Sequence, residues 1–160
     1  MTFDFETEYH WGALMVKLVP MFGFKTYEAA NDRELIWVLE NLLEEYSDHI
    51  VQSQVWIGKK RNGGKHKLDI LLNGDELISL KYQRVQGTAE EKIPFEFMKL
   101  QHAIDDYGYK SATIVVAGPD KAWKWKDYYL SDDFCAKMKS IYPDVRIINH
   151  DQFVQEYLYQ

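Results

Sequence analysis

The sequence predicts an α/β domain, with a mixed central sheet covered by helices on both faces and elements in the order α-β-β-β-α-β-α-β-α. Three observations carry this. Apolar runs on either side of Asn73-Gly74-Asp75 read as a β-hairpin. Residues 111–117, SATIVVA, form the unbroken β-branched run expected of a strand buried on both faces. Segments of helical periodicity separate these strands, which places helices against a sheet.

Taken in order, residues 9–24 are apolar but interrupted by Gly12, Pro20 and Gly23, so a short helix and a return into the core are expected, with His10 and Trp11 as packing residues. From Asn31 the pattern is helical: Leu35, Val38, Leu39, Leu42 and Tyr46 share a face, and Asn31 or Asp32 is placed to cap. Residues 50–57 alternate as a strand, Val51, Val55 and Ile57 against Gln52, Gln54 and Trp56. The hairpin follows. Thr88-Ala89-Glu90-Glu91 fits a capping box, and Pro94 suits a first helical turn. Phe95, Met98, Leu100, His102, Ala103 and Ile104 carry that helix to Gly108. After the 111–117 strand, Gly118-Pro119 breaks the chain before an aromatic and basic cluster at 122–130. A helix over 132–141, a strand over 145–148 and a helix over 150–158 complete the pattern.

Composition bounds the function. At 160 residues, 46% hydrophobic and 15% aromatic, the chain is expected to fold as one domain, 1–160, with a substantial core. A single cysteine excludes a disulfide framework and a cysteine-based zinc site, and points to a reducing compartment. No apolar run reaches a membrane span, and MTFDFETEYHW is acidic where a signal peptide is basic, so a cytoplasmic protein is expected. The net charge of −6 argues against general electrostatic attraction to nucleic acid, but its distribution is uneven. Residues 51–100 hold 9 basic and 6 acidic side chains, against 3 and 10 in residues 1–50, so only the middle third is net positive. Lys59, Lys60, Arg61, Lys65 and Lys67 surround Asn62-Gly63-Gly64, forming a basic loop able to follow a phosphate backbone. Arg84 and Lys92 extend this candidate surface after the hairpin. A solvated turn explains the loop equally well.

The hairpin carries the candidate chemistry. Asp69 is the lone acid of an aliphatic strand, and Ser79-Leu80-Lys81, with Gln83, ends the next. A two-residue turn would pair Leu72 with Asp75 and separate Asp69 from Lys81. A three-residue turn pairs Leu72 with Glu76 and Asp69 with Ser79, and puts Asp69, Ser79 and Lys81 on one face with Leu68, Ile70, Leu72, Ile78 and Leu80 on the other. The second gives the cleaner aliphatic face and is preferred. A salt bridge at a sheet edge is the plainer alternative for the Asp–Lys pair.

An Asp, a hairpin turn, then x-x-Lys with a Gln two residues on resembles the PD-(D/E)XK nuclease superfamily, the restriction-endonuclease-like fold, over roughly residues 32–117. The resemblance implies a core of α-β-β-β-α-β and a metal-dependent endonuclease that hydrolyses DNA phosphodiesters with Mg²⁺ or Mn²⁺. It implies Asp69 as central metal ligand, the Leu80 carbonyl as a second, Lys81 as catalytic cation, and Gln83 as a contact to phosphate or a base. Leu68 stands where the family often has proline. Ser79 stands where it has Asp or Glu, and some superfamily members with Ser-x-Lys take the acid from the next helix. Glu91 is the first candidate there and Glu96 the second. Asp32-Arg33-Glu34-Leu35-Ile36 resembles the helix start of archaeal Holliday-junction resolvases, which offers Glu34 as a further ligand, ahead of Asp32 and Glu40. The small size favours a homodimer, or a small phage-borne or mobile-element nuclease, over a large restriction enzyme. The alternative function is a catalytically inactive nuclease fold that binds nucleic acid or a protein partner.

Overall fold

The computed structural model describes residues 32–158. The helix expected over 9–24, with His10 and Trp11, and the cap expected from Asn31 lie outside them. The described chain begins with α1 (Asp32–Tyr46), whose Leu35, Val38, Leu39, Leu42 and Leu43 are buried, as the 3.6-residue period requires. Then come β1 (Val51–Lys59), β2 (Lys65–Leu72) and β3 (Glu76–Tyr82), a 3₁₀ turn at Ala89–Lys92, and α2 (Ile93–Tyr107). β4 (Ser111–Ala117), a 3₁₀ turn at Asp120–Ala122, α3 (Lys126–Tyr129), α4 (Asp132–Ile141), β5 (Val145–Asn149) and α5 (His150–Leu158) follow.

The strands form a single sheet in the order β1-β2-β3-β4-β5. β1, β2 and β3 pair antiparallel, while β4 and β5 continue parallel to β3, so the sheet is mixed as expected. Parallel neighbours need crossovers, and α2 and α4 supply them on one face of the sheet. There Phe97, Leu100, Ile104 and Phe134 pack on Leu77, Ile114, Val116 and Ile147. On the other face α1 and α5 cover Ile70, Leu72, Ile78, Leu80 and Val115. No helix among the described residues is long and apolar enough to cross a membrane.

The hairpin adopts the three-residue turn, with Leu72 opposite Glu76 and Ile70 opposite Ile78. Asn73 and Gly74 have φ of 54° and 74°, a left-handed pair that suits Asn-Gly, and the Asp75 N–H donates to the Leu72 carbonyl at 3.1 Å. The expected alternation fails further along. Gln54 has a φ of 51°, which takes β1 out of its two-residue repeat. Val51 packs on the α1 side, whereas Val55 and Ile57 pack on the α2 side. Leu68, opposite Val55, moves with them and leaves the face of Ile70 and Leu72.

In α2, Pro94 lies in the first turn and Gly108, at φ 78°, terminates the helix as read from sequence. The buried stripe is Ile93, Phe97, Leu100 and Ile104, so Phe97 enters the core in place of the expected Phe95, which is exposed. The capping box does not form: Thr88 precedes the 3₁₀ turn and its side chain makes no capping hydrogen bond. In the 122–130 cluster, Trp123 and Tyr129 are buried and Trp125 and Tyr128 exposed.

Candidate active site

β3 runs through the middle of the sheet, and its residues alternate between the two cores. Ile78, Leu80 and Tyr82 face α1, so Ser79 and Lys81 face α2 together with Leu77. On that side the first turn of α2 presents Glu96, which is buried. Ser79 Oγ donates to Glu96 Oε1 at 2.9 Å. Lys81 Nζ lies 3.2 Å from Glu96 Oε2, and Lys99 Nζ lies 3.0 Å from the same oxygen. Position in a first helical turn adds a favourable dipole for the carboxylate. Burial works to raise the Glu96 pKa, but Lys81 and Lys99, with the hydrogen bonds from Lys99 and Ser79, outweigh it and hold the group below its ordinary value. Glu96 is therefore ionised at neutral pH.

Asp69 sits where β2 leaves β3. The last Cα pair joining the two strands in this direction is Ile70 with Ile78, and beyond it the Leu80 N–H donates to Asp69 Oδ2 at 2.6 Å. The N–H and C=O of one strand residue point the same way. The Leu80 carbonyl is therefore directed toward the β2 side as well. Two carboxylates, Asp69 and Glu96, are thus bonded to successive residues of one strand, Leu80 and Ser79.

His66 is buried beside this group. Burial pushes its imidazole down to about 4, with Lys99, Lys60 and Lys81 adding to the shift and Glu96 opposing it. It is neutral at physiological pH.

The acid on Ser79 and Lys81 is Glu96, and not the Glu91 or Glu34 favoured from sequence. Glu91 is exposed in the 3₁₀ turn, because that turn consumes the residues expected to start the helix. Glu34 is exposed on α1, which packs on the other face of the sheet from α2. Gln83 also departs from expectation. Its amide is buried, with Nε2 donating to Glu90 Oε2 at 2.9 Å and to the Ala122 carbonyl, which removes it from any surface contact with phosphate. Glu90 in turn accepts from the backbone N–H groups of Lys124 and Trp125 at 2.9 and 2.7 Å, and so ties the 3₁₀ turn to the loop before α3.

Of the basic candidates, Lys59, Arg61, Lys65, Lys67, Arg84 and Lys92 are exposed and Lys60 half-buried. Arg61 forms a two-point pair with Asp106 on α2, at 3.2 and 3.1 Å, which offsets its charge. Sequence reading gave no role to Lys99. The signal for Lys99 was its three-residue spacing from Glu96 on a helix.

Mg²⁺ takes hard oxygen ligands and needs only one or two protein carboxylates beside water and substrate phosphate. Asp69, Glu96 and the Ser79 hydroxyl are donors of that kind. Among the described residues no group of three or more His, Cys, Asp or Glu converges.

No curated protein matched the chain. The crystal structure of AF1548, a protein of unknown function, is similar at 12% identity and a TM-score of 0.43, over 74% of this chain and 58% of that one. Residues 17–155 match the PD-(D/E)XK nuclease superfamily domain, which is most of the sequence. The chain belongs to the PD-(D/E)XK nuclease superfamily.

Proposed function

We propose that the protein is a metal-dependent endonuclease that hydrolyses DNA phosphodiester bonds, with Asp69 and Glu96 as the metal-holding carboxylates. The observation that carries this is the bonding of those two acids to adjacent residues of β3, beside Lys81. Glu96 then occupies the functional place of the strand acid that Ser79 lacks, and the Leu80 carbonyl, turned toward the same side as Asp69, is the further oxygen donor. A bound Mg²⁺ or Mn²⁺ supplies an activated water and neutralises charge on the scissile phosphate.

The chain's own residues do the rest. Lys81 brings a positive charge to the developing phosphorane oxygens, which a preorganised cation stabilises more strongly than water does. Lys99, on the same Glu96 oxygen, keeps that carboxylate ionised when Lys81 turns to substrate. Ser79 orients Glu96 through its hydrogen bond. The exposed lysines on either side of the β1–β2 loop, Lys59, Lys65 and Lys67, with Arg84 and Lys92, hold the DNA backbone.

A second reading, an inactive nuclease fold that binds nucleic acid or a protein partner, is favoured by one fact. Both oxygens of Glu96 already have partners in Ser79, Lys81 and Lys99. Incubation of the protein with supercoiled plasmid separates the two. The enzyme nicks or linearises DNA in Mg²⁺ or Mn²⁺, stops in chelator, and is silent as Lys81→Ala. DNA binding with no cleavage under any divalent cation would establish the inactive module instead.

A further inference from the structure

The outer end of the ribbon formed by β1 and β2, around Trp56, is braced on one face, while Trp56 stands exposed on the other. On the α2 side, Val55 and Ile57 enter the core, and the Tyr107 ring lies so close to Gly58 that an added Cβ would come within 2.4 Å of it. Tyr107 Oη accepts from the Lys59 N–H at 2.7 Å, Tyr109 Oη donates to the Ile57 carbonyl at 3.3 Å, and Arg61 grips Asp106. The ribbon is therefore held rigidly to the C-terminal half of α2.

Trp56 points the other way. It is 58% exposed, although its neighbours on either side are packed, because the left-handed Gln54 has already switched the faces of the ribbon. Directly across the ladder stands Lys67, with Lys65 two residues along. Their ammonium groups lie 5.5 Å (Lys65) and 5.7 Å (Lys67) from the centroid of the indole ring. From residue 51 to residue 68 the chain has five Lys or Arg and no Asp or Glu, in a protein whose net charge is −6.

A bare indole flanked by two cations on a rigid ribbon matches a ligand that is flat, aromatic and attached to an anion. An unstacked nucleotide has that chemistry: the base lies on the ring and its phosphates meet the lysines. In an uninterrupted duplex both faces of each internal base are already covered by neighbours, and the ring finds nothing to stack on. Because β2 runs antiparallel to β3, the Lys65–Lys67 end of the ribbon lies at the Lys81 end of the sheet, with Trp56 on the face opposite to Lys81. We propose that Trp56, with Lys65 and Lys67, is a stacking platform for an unpaired nucleotide, so that the DNA recognised carries a single-stranded segment. This rests on the nuclease reading above and names its substrate class.

The test is fluorescence-anisotropy titration of the full chain in chelator, where binding is measured without cleavage. Three labelled DNAs of shared sequence are used: a single strand, a blunt duplex, and a duplex with a single-stranded tail. Wild type should bind the single strand and the tailed duplex more tightly than the blunt one. Trp56→Ala should weaken both by about tenfold and leave the blunt duplex unchanged, while Trp56→Phe keeps most of the affinity. Replacing both Lys65 and Lys67 with Gln should flatten the salt dependence on the single strand. Trp56→Ala binding every DNA as wild type does, or weakening on blunt duplex and single strand alike, would overturn the platform and leave the nuclease reading to the plasmid assay. A wild-type protein that binds none of the three DNAs would likewise overturn the platform.

Discussion

Ser79 Oγ donates to Glu96 Oε1 across the gap between β3 and α2, so a strand hydroxyl and a helix carboxylate are joined on one face of the sheet. Lys81 and Lys99 close the group on the other carboxylate oxygen, which leaves two cations around one buried anion.

Removing the anion should therefore act on activity and stability together. Glu96→Gln keeps an acceptor for Ser79 but abolishes the charge, and cleavage should fall on the order of 10²–10³-fold or more. Stability should drop by only about 1–3 kcal/mol, because Lys81 and Lys99 are each partly exposed and can turn to solvent. Ser79→Ala leaves Glu96 paired and should cost far less activity. Plasmid cleavage rates and urea midpoints for the two variants check this, and equal activity in Glu96→Gln and wild type would remove Glu96 from the site.

His66 sets a pH dependence of stability. Its folded pKa of about 4 lies below the unfolded value near 6.5, so the unfolded chain takes up the proton first as pH falls. Stability from this group is complete above about pH 6.5 and declines toward pH 4, by on the order of 2–3 kcal/mol. Glu96, with its lowered pKa, loses its contribution only at lower pH, as it is protonated below the ordinary carboxylate range. Urea unfolding at pH 7 and pH 4.5 should show the decline in wild type and lose most of it in His66→Leu. An unchanged slope in that variant would mean that another group carries the titration.

The hairpin register was legible because only the three-residue turn gathers Ile70, Leu72, Ile78 and Leu80 on one face, and an aliphatic face must be buried. The switch at Gln54 was not: a left-handed non-glycine residue leaves no mark in a pattern of alternating apolar and polar side chains. Leu68 was misplaced for that reason. That Glu96 is the acid bonded to Ser79 was obscured by the helix start. Thr88 to Glu91 has the letters of a capping box, but the chain spends them on a 3₁₀ turn and begins α2 at Ile93. The spacing of Ile93, Phe97, Leu100 and Ile104 already marked the buried stripe, and Glu96, four residues before Leu100 and seven before Ala103, lies along its edge. The burial of Gln83 depends on Glu90 and Ala122, and contacts so distant in sequence leave no local signal.

Two glycines should respond differently to the same substitution. Gly118 has a φ of 109°, and a Cβ there would meet the Gln83 carbonyl oxygen at 2.0 Å, backbone against backbone where β4 ends beside β3. Gly108 has a φ of 78° with nothing within 4 Å. Gly108→Ala should cost about 1–2 kcal/mol, the conformational penalty alone. Gly118→Ala adds a clash neither strand can relieve and should cost on the order of 3 kcal/mol or more. Thermal or urea unfolding of the two variants decides it, and comparable losses would mean that the two strand ends move apart easily.

Ser79→Asp returns an acid to the strand. In Ser79→Asp a second carboxylate appears beside Glu96, and two such groups in a buried site cannot both ionise without cost, so one pKa rises. That variant should be less stable than wild type, and its deficit should shrink as pH falls, because protonating the raised group relieves the repulsion. Adding Glu96→Ala removes the competitor. Lys81 then pairs with the new strand carboxylate, which lies on its own face of β3, and the double variant should be more stable at neutral pH than Ser79→Asp alone. It should also recover part of the cleavage that Glu96→Ala loses, since the carboxylate again stands near Leu80 and Asp69. Additive losses in stability and no recovered cleavage would show that Glu96 and Ser79 are neighbours in the fold without sharing the work of one ligand.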